Sequence, residues 1–258
     1  MEILIKSTID SSSQPSLFFK AEDENRPLLV NLHSWSFDRY NKVDTLKEYC
    51  KKYNWNLLLP NFRGSNCPDN PEVTKACGSV EARQDIIDAV NYVCQNYNID
   101  QNAILLLGAS GGGHMSLMMC GYAPNMWRAA MAWVPITDLA KWFEQKRGTG
   151  ASAKYCDDML AVFGSEPKDD PKSYLERSPV NYIDQIAKSR LYICHGLYDT
   201  SVNVRHSIEF YSELQKNHPD SQVYLNIFDG KHEINYDDAF RWLNRELGDK
   251  IELSEVTR

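Results

Sequence analysis

The stretch Ala103-Ile104-Leu105-Leu106-Leu107-Gly108-Ala109-Ser110-Gly111-Gly112-Gly113-His114-Met115-Ser116-Leu117-Met118-Met119 decides how this chain folds. Its apolar opening reads as a buried strand, and an apolar helix resumes after the glycine-rich break. A strand that ends in Gly-x-Ser-x-Gly and passes straight into a helix puts the Ser110 hydroxyl at the apex of a very tight turn. A serine held out in this way can act as a nucleophile. Gly112 and Gly113 have a separate steric use, because a helix without side chains there can approach neighbouring strands closely.

Working outward, apolar strands alternate with helices. Short strands are expected near 2–8 and 15–20, then a strand at 27–32, a helix at 42–53 and a strand at 56–60. A strong amphipathic helix follows over 78–97, with Ile86, Ile87, Val90, Val93 and Cys94 on one side at helical spacing. Beyond the Ser110 turn come strands at 128–133, 190–194 and 222–228, with helices near 204–216 and 237–247. Such alternation predicts an α/β fold with a mostly parallel sheet covered on both faces. Residues 138–180 break the rhythm and read as an insertion of one or two helices able to lean over the ligand crevice as a partial lid. The last ten residues are polar and read as a frayed end.

The 258 residues fit a single domain spanning 1–258. Apolar content of 43% and charged content of 24% suit a globule with a substantial core. A formal charge of −7, with no basic cluster interleaved with aromatics, argues against nucleic acid as a partner. No run approaches ~20 apolar residues, which argues against a membrane-spanning helix. The start Met1-Glu2-Ile3-Leu4-Ile5-Lys6 alternates and reads as a strand rather than a signal peptide. Seven scattered cysteines suit a reducing compartment, so a cytoplasmic location is expected. Cys50, Cys94, Cys120 and Cys194 are expected in the core, while Cys67 and Cys77 share a loop as free thiols that oxidant could pair. No metal-ligand spacing and no Walker or dinucleotide pattern occurs, so neither metal nor cofactor is expected. A homodimer is left open.

A serine hydroxyl needs a base within reach, and an imidazole performs best when a carboxylate fixes its tautomer. Strand 190–194 runs into His195-Gly196-Leu197-Tyr198-Asp199-Thr200, and strand 222–228 into Asp229-Gly230-Lys231-His232-Glu233. Asp199 and His232 therefore follow Ser110 at carboxyl ends of later strands, in the order an α/β-hydrolase sheet requires. Ser110, Asp199 and His232 are the expected nucleophile, acid and base. Asp199 has an alternative as a helix cap. Asp229 is a rival acid, but it shares the histidine's own loop and suits a turn with Gly230. His33 and His195 end central strands and suit positioning, His114 suits helix packing, and His206 and His218 belong to an outer helix.

Attack on a carbonyl creates a negative oxygen that needs preorganised donors. The Gly111 amide, directly after the nucleophile, is one expected donor. The turn His33-Ser34-Trp35-Ser36 after strand 27–32 supplies the other, with the Trp35 amide preferred and the Ser34 amide as runner-up. Only the backbone serves this role, which leaves the Trp35 indole to wall the substrate site.

With these motifs in order, the chain resembles the catalytic domain of the prolyl oligopeptidase-like branch of the α/β-hydrolases, including its stand-alone esterases. The resemblance rests on Asn61-Phe62-Arg63-Gly64-Ser65, Asp85-Ile86-Ile87-Asp88-Ala89-Val90, Gly108-Ala109-Ser110-Gly111-Gly112 and His195-Gly196-Leu197-Tyr198-Asp199, from about residue 25 to 247. It implies the α/β-hydrolase fold, the triad Ser110, Asp199 and His232, and an Arg63 that braces loops near the site. Two departures stand out. Family members commonly carry His-Gly-Gly-Pro where this chain has His33-Ser34-Trp35-Ser36, so the tryptophan should narrow the acyl side. The chain length also leaves no room for the family's N-terminal β-propeller.

The expected chemistry is two-step acyl transfer through an acyl-enzyme. A carboxylic ester is the preferred substrate, either a small short-acyl ester or a sugar-linked or aromatic one, in a pocket of Trp35, Arg63, Trp142 and Tyr198. The alternative is a small serine peptidase of aminopeptidase or dipeptidyl-peptidase type. Its substrate amine would be held by paired acids, for which Glu144, Asp157 and Asp158 are available, although a solvated helix face is their plainer use. A non-catalytic binding scaffold would show a damaged triad, and this one is intact in sequence.

Overall fold

Alternating apolar residues at the start build a hairpin: β1 (Glu2–Lys6) runs antiparallel to β2 (Ser13–Phe19), with Ile3 and Ile5 buried beneath it. The chain then alternates through β3 (Arg26–Leu32), α1 (Val43–Tyr53), β4 (Asn56–Pro60), α2 (Val80–Asn96), β5 (Ile99–Ala109), α3 (Gly111–Tyr122) and β6 (Ala129–Trp133). Four short helices follow: α4 (Leu139–Lys146), α5 (Lys154–Phe163), α6 (Pro171–Glu176) and α7 (Ile183–Ile186). The last elements are β7 (Leu191–Gly196), α8 (Arg205–Asn217), β8 (Val223–Phe228) and α9 (Tyr236–Glu246). This computed structural model describes residues 1–248; the frayed end expected over the last ten residues lies outside them.

The strands form one eight-stranded sheet in the order β1-β2-β4-β3-β5-β6-β7-β8. Every pairing from β4 across to β8 is parallel, as the alternation predicts. Parallel strands leave all their carboxyl ends on one edge, so the loops after β3, β5, β7 and β8 meet there. The near-continuous apolar run of β5 follows from burial on both faces. Ile104 and Leu106 enter the core on one face of the sheet, while Leu105 and Leu107 enter the core on the other.

Helix ends follow local chemistry. Ser79 caps α2 by accepting the Ala82 amide, a contact worth about 1 kcal/mol. Asp170 caps α6 in the same way through the Ser173 amide, with Pro171 preset for the first turn.

Two boundaries differ from expectation. β5 begins at Ile99 rather than 103, because Asp100, Gln101 and Asn102 hide an exposed strand start beyond an irregularity in the pairing with β3. The stretch 138–180 holds three α-helices rather than one or two. Left-handed glycines at 148, 150 and 164 divide it into pieces too short to show a helical period.

Candidate active site

Ser110 sits between β5 and α3 with φ 59 and ψ −118, outside the regions open to ordinary residues. A strained residue of this kind costs about 1–3 kcal/mol and persists only when its surroundings over-determine it. Here the Ser110 amide donates to the Trp133 carbonyl at 2.9 Å, and the Ser110 carbonyl accepts from the His114 amide at 2.9 Å. Close packing does the rest. A Cβ on Gly112 would lie 2.2 Å from the Leu32 carbonyl oxygen, and one on Gly113 would lie 2.6 Å from that of Trp133. The helix approaches the flanking strands only because those positions are bare.

The structure brings Asp199 and His232 together from the loops after β7 and β8. His232 Nδ1 lies 2.7 Å from Asp199 Oδ2, and Asp199 Oδ1 accepts the amides of Ser201 at 2.8 Å and Val202 at 2.9 Å. Asp199 therefore combines the expected acid geometry with the cap-like contacts weighed as its alternative. Burial alone would raise its carboxyl; hydrogen bonds from His195 and His232 outweigh that and hold it well below the usual carboxylate range. An ionised Asp199 accepts the Nδ1–H of His232, which leaves Nε2 bare as a proton acceptor. His232 is 27% exposed, and among the described residues Ser110 Oγ forms no hydrogen bond to it. Such contacts are commonly loose before substrate arrives.

Two amides are free to meet a developing oxyanion. Gly111 and Trp35 donate no backbone hydrogen bond among the described residues, whereas the Ser34 amide is engaged by Asn41 Oδ1 at 3.2 Å. A Cβ on Gly111 would lie 2.4 Å from the Trp35 nitrogen, so the two amides are close neighbours. His33 stands behind this turn, stacked on Phe62 at 3.9 Å with its ring nitrogens against the Asn61 and Ser34 carbonyls.

The pocket residues behave differently from expectation. The Arg63 guanidinium is fully buried, paired with Asp85 at 2.6 Å, Asp10 at 2.8 Å and Glu72 at 2.9 Å. It braces loops and forms no pocket wall. The Trp35 indole is only 3% exposed: Nε1 donates to Asp158 Oδ2 at 3.0 Å, and the ring meets Trp142 edge-on at 4.8 Å. Both tryptophans are packed into the insertion instead of lining open space. Tyr198, by contrast, is 59% exposed at the rim. A cleft of about 400 Å³ begins at Ser36, next to Trp35, walled by Phe37, Arg39, Asn61 and Asp69.

Other residues find plain structural places. His114 Nε2 donates to the Arg177 carbonyl at 2.7 Å, and burial pushes its ring down to about 4. His206 is buried rather than on an outer face, its ring placed between Thr137 and Gln145. Cys67 and Cys77 are free thiols. No spacing signals the contact of Asp158 with Trp35 or that of His195 with Asp199; the sequence marks His195 only as a strand-end residue suited to positioning.

A sheet of this order, with a strained serine after β5 and an Asp–His pair on the loops after β7 and β8, defines an α/β-hydrolase fold. Residues 48–249 match the Prolyl oligopeptidase family, and the chain belongs to that family. Acylamino-acid-releasing enzyme 1 of Oryza sativa subsp. japonica is 23% identical over 207 residues, covering 76% of this chain and 26% of that protein. The Homo sapiens acylamino-acid-releasing enzyme is 29% identical over 176 residues, covering 64% of this chain and 22% of that protein. The chain thus spans about a quarter of the length of these curated relatives. The uncomplexed acylaminoacyl peptidase of Pyrococcus horikoshii superposes with a TM-score of 0.76 at 20% identity, over 100% of this chain and 42% of that one.

Proposed function

We propose that this chain is a serine hydrolase whose preferred substrates are amides at an acylated peptide N-terminus. The 2.7 Å Asp199–His232 pair, on the same sheet edge as the strained Ser110 turn, carries the hydrolase reading. His232 Nε2 takes the Ser110 proton as Oγ attacks the carbonyl, and the Gly111 and Trp35 amides hold the tetrahedral oxygen. His232 then protonates the leaving amine, and water, activated by the same base, cleaves the acyl-enzyme.

The ester preference gives way because the relatives are named as acylamino-acid-releasing enzymes and the structural neighbour as an acylaminoacyl peptidase. The type of peptidase follows from the acids of the insertion. Glu144 is ion-paired with Arg147 at 3.0 Å, Asp158 is buried against Trp35, and Asp157 is exposed. None is left paired for a free ammonium, which supports a neutral, acylated terminus over an aminopeptidase or dipeptidyl-peptidase substrate. The cleft beyond Ser36 offers room for the remainder of the chain.

The test compares N-acetyl-aminoacyl, aminoacyl and dipeptidyl anilides with acetyl, butyryl and feruloyl esters, using Ser110→Ala as control. The expected result is fastest anilide turnover on the N-acetylated compound, lost at least about a thousandfold in the alanine variant. Cleavage of esters with none of the anilides would restore the ester hydrolase reading. Failure of a fluorophosphonate to label Ser110 would remove the serine-hydrolase reading altogether.

A further inference from the structure

We propose that His195 is a positioning residue of this site: its Nε2–H shares the Asp199 carboxylate with His232 and sets how strongly that carboxylate holds the base. The inference rests on the triad reading above. Asp199 Oδ2 meets Nδ1 of His232 at 2.7 Å and Nε2 of His195 at 3.3 Å. The same His195 nitrogen lies 2.9 Å from the Val202 carbonyl. A carbonyl and a carboxylate only accept, so Nε2 of His195 carries the hydrogen. Nδ1 is then bare and accepts from the Ser207 hydroxyl at 2.7 Å. Ser207 and His195 are both completely buried, so water does not compete for either contact.

The order of donation is therefore set. The Ser207 hydroxyl donates to His195 Nδ1, and the single His195 Nε2–H is shared between the Val202 carbonyl at 2.9 Å and Asp199 Oδ2 at 3.3 Å. His232 donates to Asp199 from the other side. With the Ser201 and Val202 amides on Oδ1 and His232 on Oδ2, the carboxylate has three donors of its own and a share of the His195 N–H. The two amides hold its position. His195 differs from them because it addresses the oxygen that also faces His232. A donor there draws charge from that oxygen and weakens its grip on a protonated His232. A base held too tightly in its protonated form surrenders its proton poorly to a leaving group. His195 is a brake on that grip, and Ser207 keeps the brake in the right tautomer.

Other titratable groups near Asp199 come from separate elements. Lys146 of α4 bonds the Thr200 carbonyl at 3.2 Å, and His206 of α8 is anchored on Thr137 and Gln145. None of these bonds involves residue 195 or 207; the ring of His206, lowered first by burial and then by Lys141 and His195, is the neighbour that substitutions at 195 touch.

The full chain and its His195→Phe, His195→Gln and Ser207→Ala variants would be assayed with an N-acetyl-aminoacyl p-nitroanilide and the matching ethyl ester, whose leaving groups both need a proton, from about pH 5 to 9, with fluorophosphonate labelling and melting curves. His195→Phe keeps the ring and loses the donor. His195→Gln places an amide N–H near the lost Nε2. We expect kcat to fall about tenfold to a hundredfold in His195→Phe with KM changed less, and the acid limb of kcat/KM to move to higher pH by about half a unit or more. His195→Gln should recover kcat to within about threefold, and Ser207→Ala should lose about threefold with a smaller shift of the same sign. The low-field proton resonance of the His232–Asp199 hydrogen bond should move in step. An unmoved acid limb in variants that still label would overturn the proposal, as would a His195→Gln variant no better than His195→Phe. If His195→Phe does not fold, a Ser207→Ala variant with the parent profile is enough to overturn it. An unsubstituted chain that does not label at Ser110 would instead remove the triad reading, and this inference with it.

Discussion

Two regions frame the site around Ser110, and they are held in different ways. The turn between β5 and α3 is fixed by backbone against backbone: Gly112 against the Leu32 carbonyl, Gly113 against that of Trp133, and the Ser110 amide on the Trp133 carbonyl. The insertion after β6 reaches the site through side chains. Trp35 Nε1 donates to Asp158 at 3.0 Å, Trp142 Nε1 to the Ser201 carbonyl at 3.0 Å, and Lys146 Nζ to the Thr200 carbonyl at 3.2 Å. Those three bonds end on the oxyanion turn and on the loop of the acid. Backbone packing allows almost no adjustment, whereas a side-chain bond can be released and remade. The nucleophile is thus built to be rigid and its surroundings to be adjustable.

The largest break in this comparison comes from the rigid side. Gly112→Ala puts a Cβ 2.2 Å from the Leu32 carbonyl oxygen and 3.0 Å from that of His33, backbone atoms with no flexible side chain to move. Overpacking of this kind costs about 1–3 kcal/mol, and here the helix must also shift away from β3. Urea unfolding should show that loss, and fluorophosphonate labelling of Ser110 should slow with it. A variant with unchanged stability and labelling would show that the turn is less constrained than its packing implies.

The same difference explains what could be read from the sequence. Glycines, an apolar strand and an apolar helix are local signals, and the Ser110 turn was legible because its geometry is made by its own residues. Asp199 and His232 were legible for a related reason: parallel strands place each strand-end loop on one edge, so position along the chain implies position in space. The insertion offered no such rule. Asp158 sits on a helix face whose spacing suits solvent, and only the fold reveals the Trp35 indole 123 residues away in sequence as its partner. Arg63 does brace loops as the resemblance implies, but its exclusion from the pocket is not readable for the same cause, since its partners Asp10, Glu72 and Asp85 come from three separate segments. The inward packing of Trp142 is equally unreadable, because an aromatic in a lid-like segment carries no sign of which way it packs.

A smaller effect should come from the adjustable side. Asp158→Ala leaves the Trp35 indole N–H buried without a partner, at a cost of about 1–3 kcal/mol. The Trp35 amide moves with its ring, so the oxyanion donors lose their alignment. Removing such a donor outright costs about a hundredfold to a thousandfold in kcat, and displacing it should cost about tenfold, with labelling by fluorophosphonate slowed in proportion. An Asp158→Ala variant with reduced stability and full kcat would mean that the indole and the oxyanion turn are independent.

The smallest effect is a matter of pH and isolates the charge of Asp158 from its shape. Burial raises this carboxyl above its ordinary value, and the Trp35 hydrogen bond only partly opposes that. Between the unfolded value, about 3.9, and the raised folded one, the native state keeps a proton that the unfolded state has released. Stability therefore declines as pH rises through that window and stays lower above it. Asp158→Asn keeps an acceptor for the indole and cannot ionise, so it should lack the decline. Melting temperatures of the two proteins should be close at the acid end and separate in favour of the asparagine variant toward neutral pH. Every other titrating group is common to both chains, so a difference that stays flat with pH would mean that Asp158 carries its charge in the folded state as easily as in water, and that the insertion grips Trp35 through an exposed contact rather than a buried one.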